Sequence, residues 1–328
     1  MVSKDDELKA SALTLGGALI AITVALYVKK PPSYAWLPAL IVPTIILFLY
    51  GMGAFKWLRH WWHTHTRQGI KICLKKPRVG ILSDLKWDDF HTTYATYTNI
   101  SPECWQRAIV RETHQIYPKV KVKLISTKKN FDKFLIILNP YGGAYPERNQ
   151  QILATLDRIF EYVAAGGIFV NVADIPGFYA DRPELGHRLP LGRQDLRDIL
   201  HTPFMDRLGL YVYAGAYNNL MLTERFKIPS VEPFTGDRAV HTTLEEYPIL
   251  DPIVEPQEVN IGGRTRTVTQ SFLKKYGTGK FLISMLPITK SKNSEMRDVL
   301  ARIIVQEVQR ATSVKKAKRK LPTPTSDH

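Results

Sequence analysis

Residues 134–174 read FLIILNPYGGAYPERNQQILATLDRIFEYVAAGGIFVNVAD, and this stretch decides the fold. Residues 134–138 form an unbroken apolar run, the mark of a strand buried on both faces of a parallel sheet. Residues 139–143 (NPYGG) form a turn. Between 149 and 165 the apolar Ile152, Leu153, Leu156, Ile159, Phe160 and Val163 recur at helical spacing, and Gly166 and Gly167 close that helix. Residues 168–172 are a second buried strand. Strand, loop, helix, glycine stop and strand make one βαβ unit, a connection that is nearly always right-handed.

The same alternation extends outward. Upstream, residues 79–82 read as a strand ending in Ser83 and Asp84, and 120–126 as another. Between them, Ser101-Pro102-Glu103 is a helix start, with a serine cap and proline in the first position. Downstream, 174–245 is a less regular insertion rich in Pro, Gly, Arg and Tyr. Residues 267–273 and 280–286 then read as paired strands around a tight turn at 276–279. An amphipathic helix follows over 294–311, carried by Met296, Val299, Leu300, Ile303, Ile304 and Val308. The expected class is α/β, a mostly parallel, doubly wound sheet spanning 79–311 with the insertion at 174–245.

The N-terminal end has a different character. Residues 10–28 and 34–55 contain no charged side chain. At ~1.5 Å per helical residue they reach about 28 and 33 Å, enough for a hydrocarbon core of about 30 Å. Five residues with two prolines separate them, so 1–55 is expected to be a transmembrane hairpin. Pro38 and Pro43 predict a kink in the second span. The acidic start MVSKDDELK and the lack of a small-residue cleavage site argue against a signal peptide. Lys29, Lys30 and the basic residues of the connector 56–78 place both termini and the large domain on the cytoplasmic side of an inner or plasma membrane. Lys56, Trp57, Arg59, Trp61 and Trp62 are the expected interface residues, and His60, His63 and His65 beside them fit headgroup contact better than metal binding.

The chain carries a formal net charge of +15. Residues 1–30 contribute +1, leaving +14 on the part after the hairpin. Next to a bilayer that excess implies anionic headgroups as partners; nucleic acid is the less economical reading, since the basic residues of the tail 312–328 lack interleaved aromatics. That tail is expected to be disordered. Cys73 and Cys104 have neither metal-ligand spacing nor a disulfide framework, which fits a reducing compartment. No P-loop, GxSxG, HExxH or CxxC pair occurs, so no cofactor or metal is implied.

The segments FLIILNPYGGAYPE, YVAAGGIFVNVADIPG and KKYGTGKFLISMLPIT together resemble the class I glutamine-amidotransferase-like, flavodoxin-like α/β family. The nearer likeness is to divergent branches, the trehalose-utilisation-type domains and the trimerisation domain of some β-galactosidases. The resemblance implies a nucleophilic cysteine on the turn after the strand at 168–172, but this chain has Ala173 and Asp174 there. It also implies an oxyanion cradle built from the 139–143 loop, which leaves Asn139, Tyr141, Gly142 and Gly143 as ligand-binding candidates on a non-catalytic scaffold.

Other candidates come from the residues themselves. Asp84, Asp88, Asp89 and His91 follow the first strand, where open α/β sheets bind ligands, and Asp174 ends a later one. With His187 they offer a carboxylate pocket for acid–base hydrolysis or a metal, against the plainer reading of helix-capping aspartates. Arg182 and Arg188, among the insertion's tyrosines, have the chemistry to hold phosphates, nucleotides or sugars. A binding or assembly module, with a protein partner or a second copy of itself, is the leading expectation. A carboxylate- or metal-dependent hydrolase is the alternative, and a nucleic-acid- or nucleotide-responsive membrane effector the third.

Overall fold

The computed structural model describes residues 77–85, 97–147, 151, 153–182, 187–195, 199–228, 231–241 and 250–320, with backbone alone at 187, 241 and 314–320. Both apolar runs, the interface residues Lys56, Trp57, Arg59, Trp61 and Trp62, and Asp88, Asp89 and His91 lie outside these residues. Among the described residues no helix is long and apolar enough to cross a membrane.

Parallel pairing dominates the largest sheet. Strands β1 (Arg78–Leu82), β2 (Lys121–Ile125) and β3 (Ile136–Asn139) pair in register, Ile81 opposite both Leu124 and Leu138. Helix α1 (Pro102–Ile116) crosses from β1 to β2, and the Ser101 hydroxyl accepts the Cys104 N–H at 3.3 Å to cap it. Strand β4 (Ala144–Pro146) leads to helix α2 (Ala154–Ala164), which returns the chain to β5 (Ile168–Asn171), parallel to β3. This is the βαβ unit that the apolar runs predict. The full order is β12-β15-β16-β5-β3-β1-β2, with β12 (Leu250–Pro252), β15 (Ser271–Tyr276) and β16 (Gly279–Ser284). The five parallel strands thus follow a 2-1-3-4-5 pattern, whose switch point lies between β1 and β3. β15 and β16 form the expected hairpin, with Gly277 at φ 58 in the turn.

Both faces of this sheet are covered. On one face α1 and the last helix, α4 (Ser294–Lys320), bring Trp105, Ile109, Leu300 and Ile304 against Leu138 and Val170. On the other, α2 packs Leu156, Ile159 and Phe160 on Ile137, Phe169 and Phe281, and α3 (Pro203–Leu208) adds Phe204. Buried Glu307 ties α4 to β16 by accepting from Lys280 Nζ at 2.7 Å, and it holds Arg310 at the same distance.

The insertion is more regular than its composition suggests. It supplies β6 (Tyr179–Arg182) and β7 (His187–Pro190), which join β4 in a small sheet. It also supplies β8 (Arg193–Gln194), β9 (Ile199–His201), α3, β10 (Val212–Leu220) and β11 (Phe234–His241). With β13 (Gln257–Ile261) and β14 (Arg264–Thr269) these strands build a second large, antiparallel sheet. The strand expected over 267–273 is therefore two. β14 ends in the second sheet and β15 begins in the first, with Gln270 between them accepting the Met285 N–H at 2.9 Å. The last helix also runs nine residues past the 311 expected for it, so the basic tail begins helical: Ala, Lys and Arg favour helix, and the first breaker is Pro322.

Candidate functional site

The ends of β3 and β5 are joined by two asparagines. Asn139 and Asn171 are cross-strand partners, and both are buried. Asn139 Nδ2 donates to Asn171 Oδ1 and to the Ala144 carbonyl, each at 2.8 Å. Asn171 Nδ2 donates in turn to the Asp174 carbonyl at 3.0 Å. One amide ladder therefore fixes both the 139–143 loop and the turn after β5. Asn139 is a structural clasp, its amide spent inside the protein.

The turn after β5 is strained. Ala173 sits at φ 72, a left-handed conformation that costs a residue with a Cβ about 1–2 kcal/mol. Its methyl is completely buried. The position at which the resemblance implies a cysteine holds a methyl group, and Cys104 belongs to α1.

Asp174 follows directly and lies against the glycine loop. Its Oδ1 accepts the Ile175 N–H at 2.7 Å. A Cβ at Gly143 would stand 2.8 Å from Asp174 Oδ2, and one at Gly142, itself at φ 62, would stand 3.2 Å from Asp174 Cβ. Two glycines are what let the loop close over the carboxyl. Burial pushes the Asp174 pKa up to about 7, against the opposing pull of the Ile175 N–H and the Arg238 guanidinium.

Asp174 forms one wall of a cleft of about 340 Å³, lined also by Tyr97, Ile175, Phe178, Tyr179, Arg188 and Arg238. Three sheets contribute. Asp174 and Ile175 come from the end of β5, Tyr179 and Arg188 from β6 and β7, and Arg238 from β11. The segment after β1 brings Tyr97, held by the Ile288 N–H on its carbonyl at 2.7 Å. Arg238 donates from Nη2 to the Tyr97 hydroxyl at 2.9 Å and lies 5.6 Å from that ring's centre. Burial raises the Tyr97 pKa above its ordinary value, so the hydroxyl stays protonated at neutral pH. Arg188 grips Asp181 with both arms, at 2.7 and 3.3 Å, and stands 5.8 Å from the Tyr179 ring centre. The cleft is therefore lined by two guanidinium groups, each already paired with an aspartate, one carboxyl poised between charge states, and three aromatic rings.

The candidate residues divide accordingly. Asp174 and Arg188 reach the cleft, and Gly142 and Gly143 back it. Tyr141 is fully buried and its hydroxyl accepts the Leu85 N–H at 3.2 Å. Asp84 accepts from the Ser126 hydroxyl at 2.6 Å and the Thr127 N–H at 2.7 Å, which binds it into the loop after β2. Arg182 extends from β6 beside Tyr145 and does not line the cleft. His187 opens β7 opposite Arg182 in backbone register. Among the described residues no group of His, Cys, Asp or Glu is arranged to hold a metal ion. The sequence reading missed Tyr97, Phe178, Tyr179 and Arg238. Of these, Arg238 carried the best signal, an arginine set beside the buried Ala239 and Val240 in a strand.

No family model matches the chain, and no curated protein does. Among solved structures it is similar to the β-galactosidase of Bacillus circulans sp. alkalophilus, at 12% identity and TM-score 0.43, over 73% of this chain and 31% of that one. A β-galactosidase of the haloarchaeon Halorubrum lacusprofundi gives 14% and 0.42, over 70% and 30%. A ThuA-like protein of Bacteroides uniformis gives 10% and 0.39, over 71% of this chain and 90% of that one. The chain spans about a third of the length of the β-galactosidases it matches. Identity and score are too low to carry a ligand or an activity across.

Proposed function

We propose that this protein is a membrane-anchored binding module whose cleft takes a small anionic ligand bearing a ring, on an amidotransferase-like scaffold that has given up covalent catalysis. The observation that carries the reading is Ala173: the turn is left-handed and buried, with no nucleophile on it. Beside it the cleft retains what recognition needs. Arginine forks match carboxylate or phosphate oxygens, and the tyrosine and phenylalanine rings offer stacking faces. Anchoring rests on the apolar runs at 10–28 and 34–55 and on the basic connector behind them.

The test is a calorimetric panel of sugar phosphates, nucleotides and aromatic and sugar acids on the full chain in detergent, with turnover followed in parallel. Binding without turnover, weakened about tenfold or more by Arg238→Ala, is expected. Turnover of an ester, amide or glycoside that Asp174→Asn abolishes would sink the proposal. It would favour the second reading, a carboxylate-dependent hydrolase, whose specific support is the Asp174 pKa of about 7, near that of a working general acid or base.

A further inference from the structure

The edge of the parallel sheet carries a charge that its fold does not use. Between Tyr117 and Lys133 the chain contains Lys119, Lys121, Lys123, Lys128, Lys129 and Lys133, and Asp132 is its single acid. All six lysines are exposed. Among the described residues β2 is the edge strand, bonded to β1 alone. Lys121 and Lys123 alternate with the half-buried Val122 and Leu124 and share a face with the buried Ile125, and at this outer margin of the sheet the side chains on that face reach solvent. Among the described residues, Lys119, Lys121, Lys123, Lys129 and Lys133 form no ion pair. Arg158 adds to the turn after β2, donating to the Thr127 and Lys129 carbonyls at 2.7 and 3.0 Å.

Lysine on an edge strand also blocks strand-to-strand aggregation, but only Lys121 and Lys123 lie on β2 itself. Five lysines without a counter-ion, on the strand and both of its flanks, repel one another, and the arrangement favours an anionic partner. Two observations choose the partner. The exposed positions of this edge hold no aromatic side chain on which a base could stack, and lysine presents point charges, without the planar fork of arginine. The chain also arrives at this edge: the Pro77 carbonyl accepts the Lys121 N–H at 2.9 Å, and Arg78 is the register partner of Lys121. The connector that begins after the second apolar run therefore ends beside the lysines.

We infer that the lysine edge formed by β2 and its flanks is a docking surface for anionic lipid headgroups. This rests on the anchoring part of the proposed function. Compact ammonium groups in a row suit a diffuse layer of phosphates, and their attraction falls off within a Debye length of about 8 Å at physiological salt.

The full chain, reconstituted into vesicles of phosphatidylcholine alone or with about a third phosphatidylserine, is modified by a membrane-impermeant amine reagent and mapped by mass spectrometry. In the anionic vesicles, modification of Lys119, Lys121, Lys123, Lys129 and Lys133 is expected to fall about threefold, and to recover in 0.5 M salt at about a 4–5 Å Debye length. The exposed Lys290 and Lys292 should be unchanged. Equal modification in both vesicles, with the protein retained through an alkaline carbonate wash, overturns the docking surface and leaves the anchor standing. Protection by added single-stranded RNA and not by phosphatidylserine overturns it in favour of nucleic acid. Loss of the protein from both vesicles in the wash overturns the anchor, and the docking surface with it.

Discussion

At residue scale the turn after β5 carries two separable costs. Ala173 holds a left-handed conformation, and its methyl is wholly buried. A β-branched side chain there meets both penalties, so Ala173→Val should lose about 2–4 kcal/mol in urea unfolding. Ala173→Gly, which relieves the backbone and gives up one methyl, should stay within about 1 kcal/mol of the parent. Asp174 is the second cost. Its folded pKa of about 7 lies above the unfolded 3.8, so between these values the native state binds the extra proton. Stability should fall as pH rises from 4 to 7 and level off above. Asp174→Asn keeps an acceptor for the Ile175 N–H and cannot ionise. It should melt higher than the parent at pH 8 and match it near pH 4, as differential scanning fluorimetry across that range would show. A variant that melts lower at pH 8 would mean that Arg238 stabilises the ionised carboxylate more than burial penalises it.

At the scale of elements, the start of α2 shows how a buried charge is used. Glu147 is wholly buried and accepts from the Thr155 N–H at 2.9 Å and the Thr155 hydroxyl at 3.0 Å, eight residues along the chain. A carboxylate at a helix N-terminus satisfies a donor without an intrahelical partner and meets the positive end of the dipole. Glu147→Ala should cost about 1–3 kcal/mol, and Glu147→Gln, which retains an acceptor, clearly less, both by chemical denaturation. The elements legible in the sequence were those with a local cause. The apolar runs before Asn139 and Asn171 announced buried parallel strands, and Ser101-Pro102 announced the helix start. The insertion was not legible. Several of its strands are short and at least as polar as apolar, as in Tyr179–Arg182 and Arg193–Gln194, and the longer Val212–Leu220 carries glycine and two asparagines, so neither period nor propensity marks them. They are strands because distant partners complete them, and partners do not show in a local pattern. The cleft was half legible for the same reason. Asp174 stands at a strand end, a position that sequence can flag, whereas Arg238 becomes a neighbour only through the second sheet.

For the whole molecule, the insertion is part of the structure's core. Leu220, Leu222 and Phe234 share one buried cluster with Leu138, Val170 and Leu300. The extended chain from β14 through Gln270 to β15 belongs to both large sheets. Unfolding of the two sheets should therefore be a single transition, with far-UV and near-UV circular dichroism coincident across a denaturant titration. Excising 178–241 to leave a minimal parallel-sheet domain should give insoluble protein, because it uncovers that cluster. Two resolved transitions, or a soluble excised form with native circular dichroism, would show the sheets to be independent.

The cleft's construction from three sheets has a thermodynamic corollary. Asp174, Arg188 and Arg238 become neighbours only when every layer is in place, so a partially folded chain holds no version of the pocket. Any molecule that occupies it favours the complete native state alone, and mass action converts its concentration into resistance to unfolding: at a hundredfold excess over the dissociation constant, about 2.7 kcal/mol. A search for the ligand can thus begin without an assay for activity. The compound that most delays proteolysis and raises the melting temperature, and loses that effect in Arg238→Ala, identifies itself.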